Sequence, residues 1–538
     1  MQSCNRAGME RLARCQLQAI LQRMHRGNSF MIDGGPLTIE DVRRVAVDGA
    51  QVTLGPKARE LLAAAHGAVS KVAAGDTPVY GVNTGFGSLS HVRVRPDALR
   101  DLQKNLVLSH AAGVGDPLPK PVVRAMLFLL AASLARGHSG VRVLVVERLL
   151  DLLNHQIIPV VPERGSVGAS GDLAPLAHAS MVLLGEGMVW HGGEQVDAVT
   201  ALKAAGLAPI EFEAKEGLAL LNGTHLMAAR GALAFAELQP VLAAAVGVAA
   251  MSIDACMASE APLDARIHAA RGQPGQMAVA KCMRELLAGS QILPSHRDND
   301  PRVQDPYSLR CAPQVLGAAI DQLHAQRQVI ERELGAVTDN PLVVAAASGG
   351  FEIVSGGNFH GMPLAIAMDC SAIALCHIAG ISERRSYWLL SGHDTVNPVK
   401  PHLAGNPGLE SGLMIVQYAA AACVNELQSL AHPASVGNVS TCGGIEDYNS
   451  FGPLAGWQLD RGVRLLRDVV AIEWMVMAQA IESHRPRRSG NGIERMHAML
   501  RKLVKPLTHD RSPATDIQTI SQAISAGSLG CDGLTFGL

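Results

Sequence analysis

Aromatic and charged residues are both scarce in this chain. Of its 538 residues, 3% are aromatic and 17% are charged, whereas 48% are hydrophobic and the net charge is −2. Few aromatic residues beside many Ala and Leu residues favour close-packed helices over β sandwiches. A net charge near zero excludes a global electrostatic attraction to nucleic acid or to an anionic membrane surface. We therefore expect a mainly α-helical globular protein that binds neither.

Paired cysteines and metal-binding motifs are also missing. The ten cysteines include no Cys-x-x-Cys pair, which argues against a disulfide framework and indicates a reducing, cytoplasmic compartment. The 20 histidines form no HExxH or HxxxH pattern, so no protein-held metal is predicted. No run of 18 consecutive apolar residues occurs, so no transmembrane helix is expected.

Hydrophobic spacing divides the chain into four regions. We expect residues 1–30 to form an extension that is disordered or docked on the surface, although its basic residues also fit a transit peptide. Residues 31–230 mix short elements and turns, residues 231–482 carry long helices, and residues 483–538 form a small helical cap. The long helices are predicted over 228–258, 313–335, 363–390, 412–431 and 456–481. Because they are apolar all round, they should form a central bundle and bury further faces against other copies of the chain.

The most informative segment runs from Gly165 to His178 and contains Ala169-Ser170-Gly171. Its glycines permit backbone conformations that side chains forbid. An Ala-Ser-Gly triplet held in a sharp bend can cyclise: the Gly171 nitrogen attacks the Ala169 carbonyl, and two dehydrations leave a methylidene-imidazolone ring, abbreviated MIO. Such a ring is a strong electrophile that needs no external cofactor.

Simpler interpretations of this segment exist. A glycine-rich turn that opens a helix is usually only a turn, and Ser170 or Asp172 could cap a helix beginning near Leu173. A phosphate-binding loop is disfavoured because the pattern GxxxxGK[ST] is absent. The physical chemistry of this segment alone predicts a capped turn.

Further polar residues fall in loops or at helix ends, where function is often located. Tyr80 stands in a triple-glycine loop, His110 closes a helix, Asn222 precedes a glycine, Arg310 lies three residues after a tyrosine, and Glu446 lies in a loop. Each has an ordinary structural interpretation. Tyr80 could be a simple turn residue, His110 a partner of the helix dipole and Asn222 a left-handed helix end. Arg310 could form a surface salt bridge, and Glu446 could lie in a solvated turn. An arginine is also suited to bind a carboxylate with two parallel hydrogen bonds.

The segment 165–178 closely resembles the prosthetic-group segment of the histidine and aromatic amino-acid ammonia-lyases. The other clusters, including the string Gln304-Asp-Pro-Tyr307-Ser-Leu-Arg310-Cys, match that family in the same order from about residue 32 onward. The resemblance implies the mainly α-helical fold of the fumarase/aspartase superfamily. It also implies a homotetramer whose four active sites are each assembled from three subunits, and an MIO group formed from Ala169-Ser170-Gly171 without an external cofactor.

The resemblance also implies roles for individual residues. Tyr80 is the expected base, provided that its surroundings lower its pKa, and Arg310 is expected to hold the substrate carboxylate. His110 and Glu446 would orient the substrate side chain. The remaining residues that the resemblance places around the MIO ring are Asn222, Gln304, Tyr307 and Phe359.

Within the family, Ser109-His110 and Glu446 resemble the histidine branch, which eliminates ammonia from L-histidine to give trans-urocanate, the first step of histidine degradation. Two departures weaken this assignment: Ile445 stands where glutamine is usual, and Gly361-Met362 stands where alanine and glutamate are usual. One alternative is a tyrosine or phenylalanine ammonia-lyase, or a 2,3-aminomutase, with the same MIO chemistry. Another is a helical scaffold that has lost activity, in which the triplet stays uncyclised.

Overall fold

Helices dominate the structure, as the composition predicts. The computed structural model describes residues 29–87, 90, 92–298 and 300–528, with 59% helix and 8% strand. The expected extension over residues 1–30 lies outside the described residues except for Ser29 and Phe30, which begin a strand. The end of the predicted cap, residues 529–538, also lies outside them.

Contacts divide the chain into two compact units. The first contains the described residues up to Leu233 together with Ile330–Ala365 and Ser435–Leu454, and the second contains Ala234–Val329, Ile366–Ala434 and residues from Ala455 onward. The first unit therefore gathers segments that are far apart in the sequence. The domain boundaries at 230 and 482 stay predictions.

The first unit is built from short helices and short strands. Its helices are Ile39–Ala46, Pro56–Ala73, Leu99–His110, Lys120–Leu134, Val143–Asn154, Leu173–Ser180, Ala198–Ala204 and Glu216–Leu221. Ser29–Ile32 pairs in parallel with Gln51–Leu54, and the antiparallel pairs are Val114–Pro117 with Pro162–Arg164, and Leu342–Ala345 with Phe351–Val354. A three-stranded antiparallel sheet contains Ile158–Pro159, Met188–His191 and Glu194–Asp197.

The core of the first unit surrounds the helix Lys120–Leu134, in which every residue from Val122 to Leu134 is buried. The helix Ile39–Ala46 packs on it and begins with a capping box, in which the Thr38 hydroxyl accepts from the Asp41 N–H while the Asp41 carboxylate accepts from the Thr38 N–H. Such a box satisfies N–H groups that have no partner inside the helix.

The second unit consists of helices. Those over Ala265–Arg271, Pro274–Leu287, Ile292–Ser295, Tyr307–Arg310, Met414–Leu430, Asn491–Leu503 and Ala514–Ser525 lie within it. Four longer helices contribute residues to both units: His225–Ala255, Ala312–Glu333, Met362–Ser391 and Gly452–Ser483. The long helices start and end within a few residues of the sequence-predicted ranges.

Two of the long helices are apolar enough to span a membrane by length and composition. They are His225–Ala255 and Met362–Ser391, and 72% and 61% of their most apolar windows are buried inside the protein. Helices that form the core of a soluble protein pass the same test, because burial in protein and burial in lipid select similar side chains. Neither helix contains 18 consecutive apolar residues, because polar and charged residues interrupt them, among them Glu237 and Gln239 in the first and Asp369 and His377 in the second.

Candidate active site

The predicted ring segment lies in a narrow backbone cradle in the first unit. Gly168 and Gly171 have φ values of +74° and +77°, in the left-handed region that favours glycine. A Cβ atom at Gly171 would overlap the Gly223 carbonyl, and one at Gly168 would overlap the Ser450 hydroxyl. Ala169 and Gly171 are buried, whereas Ser170 is half-buried. Both glycines are therefore required by the close approach of other backbone and side-chain atoms.

Asp172 anchors this cradle in a way that the sequence does not predict. Its side chain does not cap the helix Leu173–Ser180, and neither does Ser170. Instead, its Oδ2 accepts hydrogen bonds from the N–H groups of Leu226 (2.9 Å) and Met227 (3.1 Å), in the first turn of the helix His225–Ala255. A carboxylate suits that position because the N–H groups of a first turn have no partner within the helix. Complete burial raises the pKa of Asp172 to about 7.

Asn222 lies beside the same cradle. It is extended, with φ −90° and ψ 123°, so the interpretation as a left-handed helix end is wrong; Gly223 takes the positive φ of +136° instead. The Gly223 carbonyl accepts from the Asp172 N–H at 2.7 Å. The Oδ1 atom of Asn222 is buried and has no hydrogen-bond partner among the described residues. A buried polar atom without a partner is typical of a position that contacts a bound group.

Glu446 is hydrogen-bonded to the ring segment. The Ser170 hydroxyl donates to Glu446 Oε1 at 3.1 Å, across 276 residues of sequence. The Thr441 hydroxyl lies 3.0 Å from the other carboxylate oxygen, Oε2. The loop between Thr441 and Glu446 contains three successive residues with positive φ, at positions 442–444, and brings the two side chains together.

Tyr80 lies in a turn that packs against the elements around Asn222. A Cβ atom at Gly81 would lie 2.5 Å from Leu218 and 3.0 Å from Pro341, so this turn is in close contact with both. Two residues before Pro341, Asp339 forms a buried ion pair with Lys215 at 2.5 Å. This ion pair has no signature in the local sequence, because Lys215 and Asp339 are 124 residues apart.

The surroundings of Tyr80 do not lower its pKa as a base requires. Burial raises the pKa most, and the nearby Glu446, Cys442 and Asp339 add to the increase, while the Gly87 N–H, which donates to the phenol oxygen, lowers it. The groups of this chain alone therefore do not meet the condition of a lowered pKa, and the role of Tyr80 as base stays a prediction. Cys442 lies close to the same glycine, because a Cβ atom at Gly87 would be 2.6 Å from its Sγ.

His110 ends the helix Leu99–His110. Its Nδ1 lies 2.8 Å from the Leu106 carbonyl and 3.1 Å from the Ser109 hydroxyl. The following loop is tied to the helix Leu173–Ser180, since the Gly113 N–H donates to His178 Nε2 at 3.0 Å. Among the described residues, no hydrogen bond or ring contact joins His110 or Phe359 to Ser170.

Phe359 is half-buried in a turn next to the unusual pair Gly361-Met362. A Cβ atom at Gly361 would lie 2.5 Å from the end of the Met227 side chain and 3.1 Å from Ser450 Oγ. Ser450 Oγ lies 3.3 Å from the Gly168 carbonyl. The glycine is thus explained by packing behind the cradle, where Met227 fills the space that an alanine methyl would need.

The remaining predicted residues lie in the second unit. Tyr307 and Arg310 share one face of a helical turn, as their spacing predicts, with the guanidinium 4.4 Å above the Tyr307 ring. Arg310 Nε donates to the Asp305 carbonyl at 3.1 Å. Tyr307 is 70% exposed and Gln304 is exposed. Gln304 and Arg310 line a cavity of about 570 Å³, which gives Arg310 room to receive an anionic group.

The cradle in the first unit fits the ring that the sequence implies. Gly171 of the triplet and Gly168 just before it have no room for a side chain, and Asn222, whose Oδ1 has no partner among the described residues, lies beside the triplet. Groups of three or more metal-ligating side chains are not found within the described ranges. Among the described residues, Cys256, Cys311, Cys370, Cys376, Cys423 and Cys442 form no disulfide.

The chain is similar to several known proteins. A family model described as aromatic amino acid lyase matches residues 37–502. A histidine ammonia-lyase of Myxococcus xanthus (strain DK1622) is 45% identical over 500 residues, covering 93% of this chain and 97% of that protein. The structure of histidine ammonia-lyase from Trypanosoma cruzi has a TM-score of 0.85 at 35% identity, covering 93% and 94% of the two chains. Tyrosine aminomutase from Streptomyces globisporus has a TM-score of 0.86 at 34% identity, covering 93% and 97%.

Proposed function

The chain belongs to the aromatic amino acid lyase family, and on that premise we propose that it eliminates ammonia from L-histidine to give trans-urocanate. Members of this family use an MIO group that forms autocatalytically from their own chain. The observation that carries the proposal is the glycine cradle around Ala169-Ser170-Gly171, with the Glu446 carboxylate 3.1 Å from the Ser170 hydroxyl. A carboxylate at that place suits an imidazole or an ammonium group, both of which donate hydrogen bonds and carry or gain positive charge.

The β-hydrogen of histidine is not acidic, so a base at neutral pH needs help to remove it. The MIO methylene supplies an electrophile that withdraws electrons from the substrate and makes the amine a better leaving group. In this proposal Arg310 holds the substrate carboxylate, while His110 and Glu446 orient the imidazole. Asn222, Gln304, Tyr307 and Phe359 shape the pocket.

Tyr80 is proposed to take the β-proton on its phenol oxygen. Since the chain's own groups raise the pKa of Tyr80, a positive charge has to come from elsewhere when substrate binds. The substrate ammonium and a residue of a neighbouring copy are both suitable sources. A homotetramer with active sites shared between subunits fits the exposure of Tyr307 and Gln304. We propose a cytoplasmic location, because the sequence has no Cys-x-x-Cys pair and no spacing typical of a disulfide framework.

The test is ultraviolet spectroscopy of the purified protein with L-histidine, L-tyrosine and L-phenylalanine in separate reactions, with ammonia measured in parallel. We expect urocanate from histidine alone and no product from the Ser170→Ala variant, which lacks the hydroxyl that leaves during ring formation. Ser70→Ala, at an exposed position, is the matched control and should behave as wild type. Product from tyrosine or phenylalanine, including a β-amino acid, would contradict the histidine assignment and support the aromatic lyase or aminomutase alternative.

A further inference from the structure

Glu446 is fixed from both sides by hydroxyl groups. One carboxylate oxygen, Oε1, accepts from Ser170 at 3.1 Å, and the other, Oε2, lies 3.0 Å from the Thr441 hydroxyl. Both Glu446 and Thr441 are half-buried. A hydrogen bond to a charged acceptor in such surroundings holds one rotamer strongly.

The backbone reinforces this arrangement. The Thr441 N–H donates to the Glu446 carbonyl at 2.9 Å, and the two residues form an isolated antiparallel bridge. Cys442, Gly443 and Gly444 between them have φ values of +50°, +64° and +92°. Because the loop closes on itself in this way, the Thr441 side chain has a fixed position relative to the carboxylate.

Ring formation changes one of these two partners and leaves the other. The Ser170 hydroxyl departs as water when the ring forms, so Oε1 loses its partner and becomes available to substrate. Thr441 takes no part in that chemistry and still holds Oε2. The carboxylate would therefore present one oxygen to the substrate while the other stays bound.

We propose that Thr441 is a positioning residue that holds Glu446 in its substrate-binding orientation. This inference rests on the proposed function, because it assumes that Glu446 contacts the substrate. Thr441 itself is not expected to touch the substrate. The effect of a Thr441 substitution on substrate binding should disappear when Glu446 is absent, whereas the effect of a purely structural residue would remain.

The test is a double-mutant cycle with the full-length protein. Thr441→Val, Glu446→Ala and the combined variant are compared with wild type by kcat and KM for L-histidine. Calorimetric titration with dihydrourocanate, the saturated and unreactive analogue of the product, gives Kd independently of turnover. Thr441→Ser keeps the hydroxyl and serves as the rescue variant. Thr519→Val is the control, because it removes a threonine hydroxyl that donates to the Thr515 carbonyl in the helix Ala514–Ser525.

Thr441→Val should weaken analogue binding and raise KM by about tenfold or more, the usual size of a hydrogen bond to a charged group. In the Glu446→Ala background the same substitution should change Kd by less than about twofold. Thr441→Ser and Thr519→Val should bind the analogue like wild type. The mass of the tryptic peptide 165–203, lower by two waters when the ring is present, should be the same in every variant.

An equal loss on Thr441→Val in both backgrounds would overturn the inference, as would wild-type binding by that variant. A missing ring in Thr441→Val would also overturn it, because the hydroxyl would then act in ring formation. If Thr441→Val does not fold, Thr441→Ala and Thr441→Ser provide the same comparison. Failure of wild type to form urocanate from histidine would refute the proposed function instead, so the two failures are distinguishable.

Discussion

The two segments proposed to contact substrate are built in opposite ways. Ala169-Ser170-Gly171 lies in a cradle fixed by backbone contacts, with no room for a Cβ at Gly171. The segment 304–310 is open, with Tyr307 70% exposed and Arg310 beside a cavity. The difference follows from the chemistry each must perform. A cyclising triplet requires one backbone geometry, whereas a carboxylate-binding arginine requires only a charge with space in front of it.

The largest effect is expected from adding a side chain at Gly171, inside the glycine cradle. Gly171→Ala places a methyl group on the Gly223 carbonyl and forces a non-glycine residue to φ +77°, a conformation that costs about 1–3 kcal/mol. We expect no ring and a loss of activity of more than about a thousandfold, because the electrophile provides much of the rate enhancement. The peptide mass and the rate of urocanate formation measure both effects.

Gly35→Ala is the control for that substitution. Gly35 is exposed, and a Cβ atom there would have no neighbour within 4 Å. It should keep the ring and full activity. A cyclised, active Gly171→Ala protein would show that the cradle is not the reason for the glycine.

A smaller effect is expected from the open segment. Arg310→Gln removes the charge proposed to bind the substrate carboxylate, so KM should rise by about tenfold to a hundredfold. The ring should be intact, because Arg310 lies in the other unit of the chain. Arg297→Gln is the control, since Arg297 lines the same cavity but is paired with Glu260 at 2.6 Å.

An unchanged KM in Arg310→Gln would contradict the carboxylate-binding role. Loss of the ring in that variant would contradict the proposal that the segment 304–310 binds substrate and takes no part in ring formation.

The smallest effect concerns stability rather than turnover. Burial raises the pKa of Asp172 from 3.8 to about 7. A carboxyl with a higher pKa in the folded state binds more protons when folded, so its contribution to stability falls as the pH rises through that window. The Asp172→Asn side chain cannot titrate. The Tm of this variant should therefore fall less than the Tm of wild type when the pH is raised from about 5 to about 8.

Differential scanning calorimetry at several pH values measures this difference. Asp97→Asn, at an exposed carboxyl paired with Arg95, should give a curve parallel to wild type. A parallel curve for Asp172→Asn would show that burial of this carboxyl does not couple the stability of the cradle to pH.

The same contrast explains what the sequence could predict. The long helices follow from their apolar spacing, and the Tyr307–Arg310 face follows from a separation of three residues. The positive φ at Gly171 also agrees with the glycine pattern. These features depend on local sequence, where propensity and periodicity act directly.

The contacts between distant segments were not predictable in this way. Asp172 caps a helix that begins more than 50 residues later, Lys215 pairs with Asp339, and Ser170 donates to Glu446 across 276 residues of sequence. Each depends on how separate segments pack, which has no signature in local spacing. The raised pKa of Tyr80 is of the same kind, because it depends on burial and on carboxylates from other parts of the chain.

The central claim is that Ala169-Ser170-Gly171 becomes the electrophile, and the mass of the tryptic peptide 165–203 from the purified protein tests it most directly. We expect a wild-type peptide lighter by two waters than its sequence requires, and the full mass expected from its sequence for the same peptide from Ser170→Ala. A wild-type peptide of full mass from a preparation that converts histidine to urocanate would contradict the account.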